Sequence, residues 1–270
     1  MGTVGAYSGS GGKAGKDLRE GVEDWLNELP TPPPNEGPGD SSPDGDSGED
    51  VPRLDPDTLL NVLPLMRPGS PSGGRSDGPS GGGGGGGSAG SGGGGSGGGA
   101  SRSVGGSART AGRAAAAARA FRAGDADTLA EFGLNYAALA ALNDPIEVVR
   151  QIVEAACGAR TDSTIEDHEQ RLVAAEVAEW VLSEDGNAPP APEEIVRHTI
   201  AIIIADIALV ETADEASRHA NGELLESEVR EVAEALAARV PLSVDGTTED
   251  EFAAAIESGI ETLRTIMEAD

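Results

Sequence analysis

Apolar residues in this chain recur at helical spacing in two short islands and then in one long block. In the first island Leu18, Val22, Trp25, Leu26 and Leu29 fall at offsets 0, 4, 7, 8 and 11, the spacing of one helix face, which predicts a helix over 17–29 that Pro30 stops. Gly21 weakens that helix by about 1 kcal/mol relative to alanine, and an isolated helix of this length is marginal in water. It is expected to form against a surface. The second island, 55–66, opens with Asp55-Pro56, an N-cap followed by proline at the first helical position, and carries Leu59, Leu60, Val62, Leu63, Leu65 and Met66.

From Arg109 the pattern turns helical and stays so. An arginine-alanine helix runs to Arg122 and ends at Gly124, and Thr128 with Glu131 reads as a capping box. Asp144-Pro145 starts a helix with Ile146, Val149, Val153 and Ala156 on one face and Gly158 as its stop. Ser163 with Glu166 opens the next, whose inner face reads Ile165, Leu172, Val173, Val177, Trp180 and Val181 before Gly186. Ala191 to Glu211 is apolar nearly all round from Ile195 to Val210, the mark of a helix at the centre of a bundle. Leu225, Val229, Val232, Leu236 and Val240 form a clean stripe ended by Pro241. Thr248 with Glu251 caps a last helix carrying Phe252, Ile256, Ile260, Leu263 and Met267. No alternating strand or hairpin pattern occurs, so the fold class is all-α: a C-terminal helical bundle preceded by a long disordered Gly/Ser/Pro-rich region.

Composition draws the expected boundary. Residues 78–100 are almost wholly glycine and serine, which cannot offset the roughly 1–2 kcal/mol per residue that ordering costs. They read as a flexible tether between a largely disordered region, 1–103, with apolar motifs at 17–29 and 55–66, and an α-helical domain, 104–270. The net charge of −28 is unevenly spread. Arg102, Arg109, Arg113, Arg119 and Arg122 make an acid-free basic stretch, while the chain from Asp125 onward is strongly acidic and repels nucleic-acid phosphates and acidic lipid surfaces. Cys157 is the only cysteine, which leaves no disulfide framework or cysteine-based zinc site and fits a reducing cytoplasm. The longest apolar run, Ile200 to Val210, is too short to span a bilayer and contains Asp206.

Few residues suggest chemistry. Gly9 to Lys16 superficially resembles a phosphate loop, but Lys16 is followed by Asp17 and no strand precedes it. His168, His198 and His219 lie on three separate segments without metal-ligand spacing, and no cofactor is expected. Cys157, at a helix C-terminus, reads as a small buried residue rather than a nucleophile. Asp206 in an apolar helix either marks a site, meets an arginine, or surfaces at the bundle edge. The arginine-alanine helix either grips an acidic partner or neutralises its own domain. Leu18, Val22, Trp25, Leu26, Leu59, Leu60 and Leu63 are candidate partner-binding residues, the alternative being that they dock on their own domain.

The Met1-Gly2-Thr3 start running into Ser/Gly-rich sequence, the Pro/Gly linker, the segment Ser107 to Arg113, and Cys157-Gly158 followed by Thr164-Ile165-Glu166-Asp167, Arg171 and Ala174-Ala175-Glu176 together give a layout that resembles the QatB family of bacterial Qat antiphage defence systems. The resemblance implies a non-enzymatic protein working beside an ATPase, a QatC-type enzyme similar to the deazaguanine-forming QueC, and a TatD-like nuclease. It further implies a substrate role, with Gly2, exposed once Met1 is removed, as the acceptor of a conjugate. An α-amine of pKa about 8 is substantially nucleophilic at cellular pH where lysine is not. The competing readings are an assembly adaptor that is never modified and, more remotely, a secreted helical effector. An enzyme is the least expected class.

Overall fold

The computed structural model describes residues 12–30, 52–67, 102–158, 165–184, 188–244 and 246–269. Ten helices follow one another among them: α1 Lys13–Glu28, α2 Pro56–Leu60, α3 Val104–Ala123, α4 Ala126–Glu131, α5 Tyr136–Ala141, α6 Pro145–Cys157, α7 Ile165–Ser183, α8 Pro192–Arg218, α9 Gly222–Ala238 and α10 Glu249–Ala269. A two-residue parallel bridge pairs β1 Met66–Arg67 with β2 Arg102–Ser103.

Helix starts follow local chemistry. The Asp55 and Asp144 carboxylates accept from the backbone N–H groups of Asp57 and Ile146 at 3.0 and 3.1 Å, each just before a proline at the first helical position. At α10 the Thr248 hydroxyl accepts from the Glu251 N–H while the Glu251 carboxylate accepts from that of Thr248, a reciprocal cap. These contacts hold the Glu251 carboxyl below the usual carboxylate range. The expected box at Thr128 and Glu131 is replaced by an earlier cap: Asp125 accepts from the N–H and hydroxyl of Thr128, and α4 starts at Ala126. Gly124 and Gly158 end α3 and α6 with φ of +70° and +67°, a conformation that favours glycine.

The core is built around α3 and α8. In α3 the alanines from Ala114 to Ala118, with Ala108, Ala111 and Ala120, are buried, and their lack of bulk lets α10, α7 and α6 close around one helix. Gly112 marks a close approach of two backbones, since a Cβ there would lie 2.8 Å from the Glu249 carbonyl oxygen and 3.0 Å from the Ala253 nitrogen of α10. Two arginines of α3 have partners within the chain. Arg122 donates to the carbonyls of Val181 and Ala188 at 2.8 and 3.1 Å, tying α3 to the end of α7, and Arg113 meets Glu249 at 3.3 Å. Of these contacts only Arg113–Glu249 pairs charge with charge within the domain. Ile195, Val196, Ile200, Ile203, Ile204 and Ala208 of α8 are buried, as its apolar composition anticipates.

Core packing begins well before residue 104, which corrects the expected boundary. Leu18, Val22, Trp25, Leu26 and Leu29 of the α1 segment, and Leu54, Leu59, Val62, Leu63 and Met66, are all at most 5% exposed and belong to the same apolar core as α8 to α10. Leu60 packs on it half-buried. The residues expected to bind a partner are therefore covered by their own chain, the self-docking alternative. Polar contacts fix the arrangement: Trp25 Nε1 donates to the Pro52 carbonyl at 2.8 Å, the Leu54 N–H donates to Glu228 at 2.8 Å, and Arg264 donates to the Met66 carbonyl at 2.6 Å. Gly21 permits the contact, because a Cβ there would stand 2.6 Å from the Thr58 side chain of α2.

The glycine-rich stretch is accordingly not a spacer between two halves. Met66 pairs with Arg102 and Arg67 with Ser103, so the described residues on either side of 68–101 lie next to one another. Cleaving the chain at a protease site engineered at Gly85 should leave the two fragments co-eluting on size exclusion with undiminished helicity. Separation of the fragments without denaturant would show that the early segments are not part of the core.

Candidate functional site

Among the described residues a groove runs along one side of α8. Its wider part, about 540 Å³, has α7 on one wall and α9 on the other, with Leu172, Leu209, Val210 and Leu225 offering apolar surface. Asp206, Leu172 and Val210 continue into a narrow slot of about 50 Å³ whose end is formed by Val104 and Ser107 of α3. Leu172 and Val210 are 47% and 40% exposed, unusual for large aliphatic side chains in a bundle. Around them stand the carboxylates Glu169, Glu176, Asp206, Asp214 and Glu226.

Sequence periodicity placed both aliphatic residues inside. On α7 the interior is filled by Val173, Ala174, Val177, Ala178 and Val181, and the small alanines draw the helix in so that Leu172 turns outward. Similarly, α6 buries Val148, Ile152 and Ala156 and leaves Ile146 81% exposed, one step round from the face expected. The signal available beforehand was the paired alanines, which a hydrophobicity pattern underrates.

One cation crosses the groove wall. Arg230 forks onto both oxygens of Glu176 at 3.0 and 3.4 Å and also reaches Glu226 at 3.3 Å, which raises its pKa further. Beside it the His198 ring stacks on Trp180, centroids 4.2 Å apart and planes 21° from parallel, with Nδ1 3.9 Å from Glu234. Burial pushes the His198 pKa below 6.5; Glu176 opposes that shift and Arg230 adds to it. In the unfolded chain His198 takes a proton near pH 6.5, whereas the folded chain resists it. The stability from a neutral His198 is complete above about pH 6.5 and is lost as the pH falls from there through the folded pKa. The urea midpoint should therefore fall more steeply below that pH in the wild type than in His198→Gln; equal slopes would contradict this.

The other candidate residues are dispersed. His168 is exposed on α7, and the His219 ring nitrogen accepts from the Asn221 N–H at the end of α8. Cys157 is half-buried at the end of α6. Lys13 and Lys16 lie in the first turns of α1, beside Asp17 and Glu20 at 3.9 and 3.1 Å. Asp206 surfaces at the groove and is not without a partner. Gly2 lies outside the described residues. Among the described residues no group of three or more His, Cys, Asp or Glu could hold a metal ion, and no helix is long and apolar enough to cross a membrane. No family model, no curated protein and no solved structure matches the chain.

Proposed function

We propose that this chain is a non-enzymatic component of a bacterial antiphage defence system of the Qat type, acting as the substrate whose Gly2 amine is conjugated by a QueC-like partner enzyme. The observation that supports the reading is the anchoring of α1: Leu18, Val22, Trp25 and Leu26 hold the helix to the core from its first turns, so the eleven residues before Gly12 issue from a fixed point. In the reaction the Gly2 amine gives its electron pair to the electrophilic carbon that the partner activates, the activating group leaves, and the nitrogen loses a proton as the new bond forms. Intact-mass measurement after co-expression with the QueC-like enzyme, ATPase and TatD-like nuclease tests it. The expected result is an added mass on the N-terminal peptide, and a chain bearing only unmodified Gly2 overturns the proposal.

The exposed Leu172 and Val210 favour a second reading, an assembly adaptor that binds without being modified. Gly2→Pro keeps Met1 removal while replacing the primary amine by a hindered secondary one. An adaptor tolerates it in a phage-protection assay, and a conjugation substrate loses protection.

A further inference from the structure

Two rungs join α7 to α9 beside the groove, one helical turn apart. The lower rung is direct, with Arg230 of α9 forked onto Glu176 of α7. The upper rung passes through α8: the His198 ring stacks on Trp180, and its Nδ1 lies 3.9 Å from Glu234. Trp180 follows Glu176 by four residues and Glu234 follows Arg230 by four, so on each helix both rungs share one face, about 6 Å apart along the axis. His198 therefore stands one turn from the ion pair, between the same two helices.

The cluster is short of a cation. Glu176 reaches it from α7 and Glu226, Arg230 and Glu234 from α9, so three carboxylates meet one guanidinium while the imidazole is neutral. On α8 itself Glu194, one turn earlier, is engaged at the helix start, accepting from the Ala191 N–H at 3.0 Å, and Arg197 lies about 100° round the helix. Burial is the main force that holds the ring neutral; Glu176 opposes it and Arg230 adds to it. Arg230 also has an alternative partner within reach. Its Nη2, 3.4 Å from Glu176, is already 3.3 Å from Glu226, one turn back on its own helix. A proton on His198 sets a second cation beside Glu176, and repulsion between the two cations disfavours the fork.

We propose that His198 is a proton-operated latch: a proton taken up by its ring moves Arg230 from Glu176 to Glu226 and unties α7 from α9. Glu176 is then held by the imidazolium instead. Since Glu176, Glu226 and Arg230 all line the wider part of the groove, its wall is firm at neutral pH and loosens in acid. The latch belongs to the chain alone and does not rest on conjugation at Gly2.

Proton NMR of the imidazole rings in the full chain follows the ring directly, with His198→Gln identifying its signal among the three histidines. The His198 midpoint should lie below 6.5, rise in Arg230→Gln and fall in Glu176→Gln. A ring that stays neutral until the carboxylates themselves take up protons, or a midpoint that neither variant moves, overturns the proposal. A double-mutant cycle on Glu176→Gln and Arg230→Gln measures the tie itself, read by urea unfolding at one pH above and one below the midpoints of all these variants. Above them the pair should couple, and below them most of the coupling should be lost. In a His198→Gln background the coupling should persist at both. His198→Phe, which keeps an aromatic stack on Trp180 without a titrating nitrogen, serves the same comparison should His198→Gln fold poorly. Coupling that acid leaves unchanged, or that acid removes equally without His198, overturns the proposal.

Discussion

Trp25→Ala is expected to lower the free energy of unfolding by about 3–5 kcal/mol, the usual cost of emptying the site of a large aromatic side chain in a packed interior. The indole is 5% exposed and sits on the stripe with Leu18, Val22 and Leu26 that joins α1 to α8. Its removal also strands the Pro52 carbonyl, which now accepts from Nε1 at 2.8 Å. Against a total stability of about 5–15 kcal/mol for a folded domain, the variant stands near the edge of unfolding. Urea denaturation followed by helical circular dichroism measures the loss as a lower midpoint at similar slope. A midpoint that does not move would place α1 outside the cooperative unit and undo the correction to the domain boundary.

Arg19→Leu should come second, at about 3 kcal/mol, the lower end of the cost of removing one partner from a buried ion pair. The lower end applies because the Arg19 side chain keeps 21% exposure, whereas the Glu211 side chain keeps only 2%. Without the guanidinium, Glu211 and Glu215 face each other and the underside of α1 with their charge less compensated, and one Glu215 oxygen already has no hydrogen-bond partner. Adding Glu211→Gln removes one charge and should restore a good part of the loss. Should the second substitution recover nothing, the damage lies in the packing of the arginine stem rather than in its charge. The two experiments probe one interface by independent physics, apolar burial and ion pairing.

Where a helix buries a single stripe of bulky residues, the sequence was sufficient. Leu225 to Leu236 on α9 and Phe252 to Leu263 on α10 lie on the faces their spacing requires, and Asp55, Asp144 and Thr248 cap where capping chemistry says they should. Periodicity names a buried face without naming what covers it, which is why Leu18 and Leu59 read equally as docking motifs and as core. The central place of α3 was hidden for another reason: a run of alanines has no apolar contrast, and its importance lies in how closely neighbours can approach it. Leu172 lies outside the face its bulk suggests, because Ala174 and Ala178 occupy the interior of α7. The short α5, started by Asn135 accepting from Ala138, shows that one cap can define a helix too brief for any pattern.

The bridge between Met66–Arg67 and Arg102–Ser103 makes the intervening passage a handle on the molecule. With entry and exit side by side, doubling its length adds only about 0.6 kcal/mol of closure entropy. A fluorescent protein or an affinity module whose own termini are adjacent can be spliced in there, reporting on the protein in living cells while leaving both chain ends in their native form.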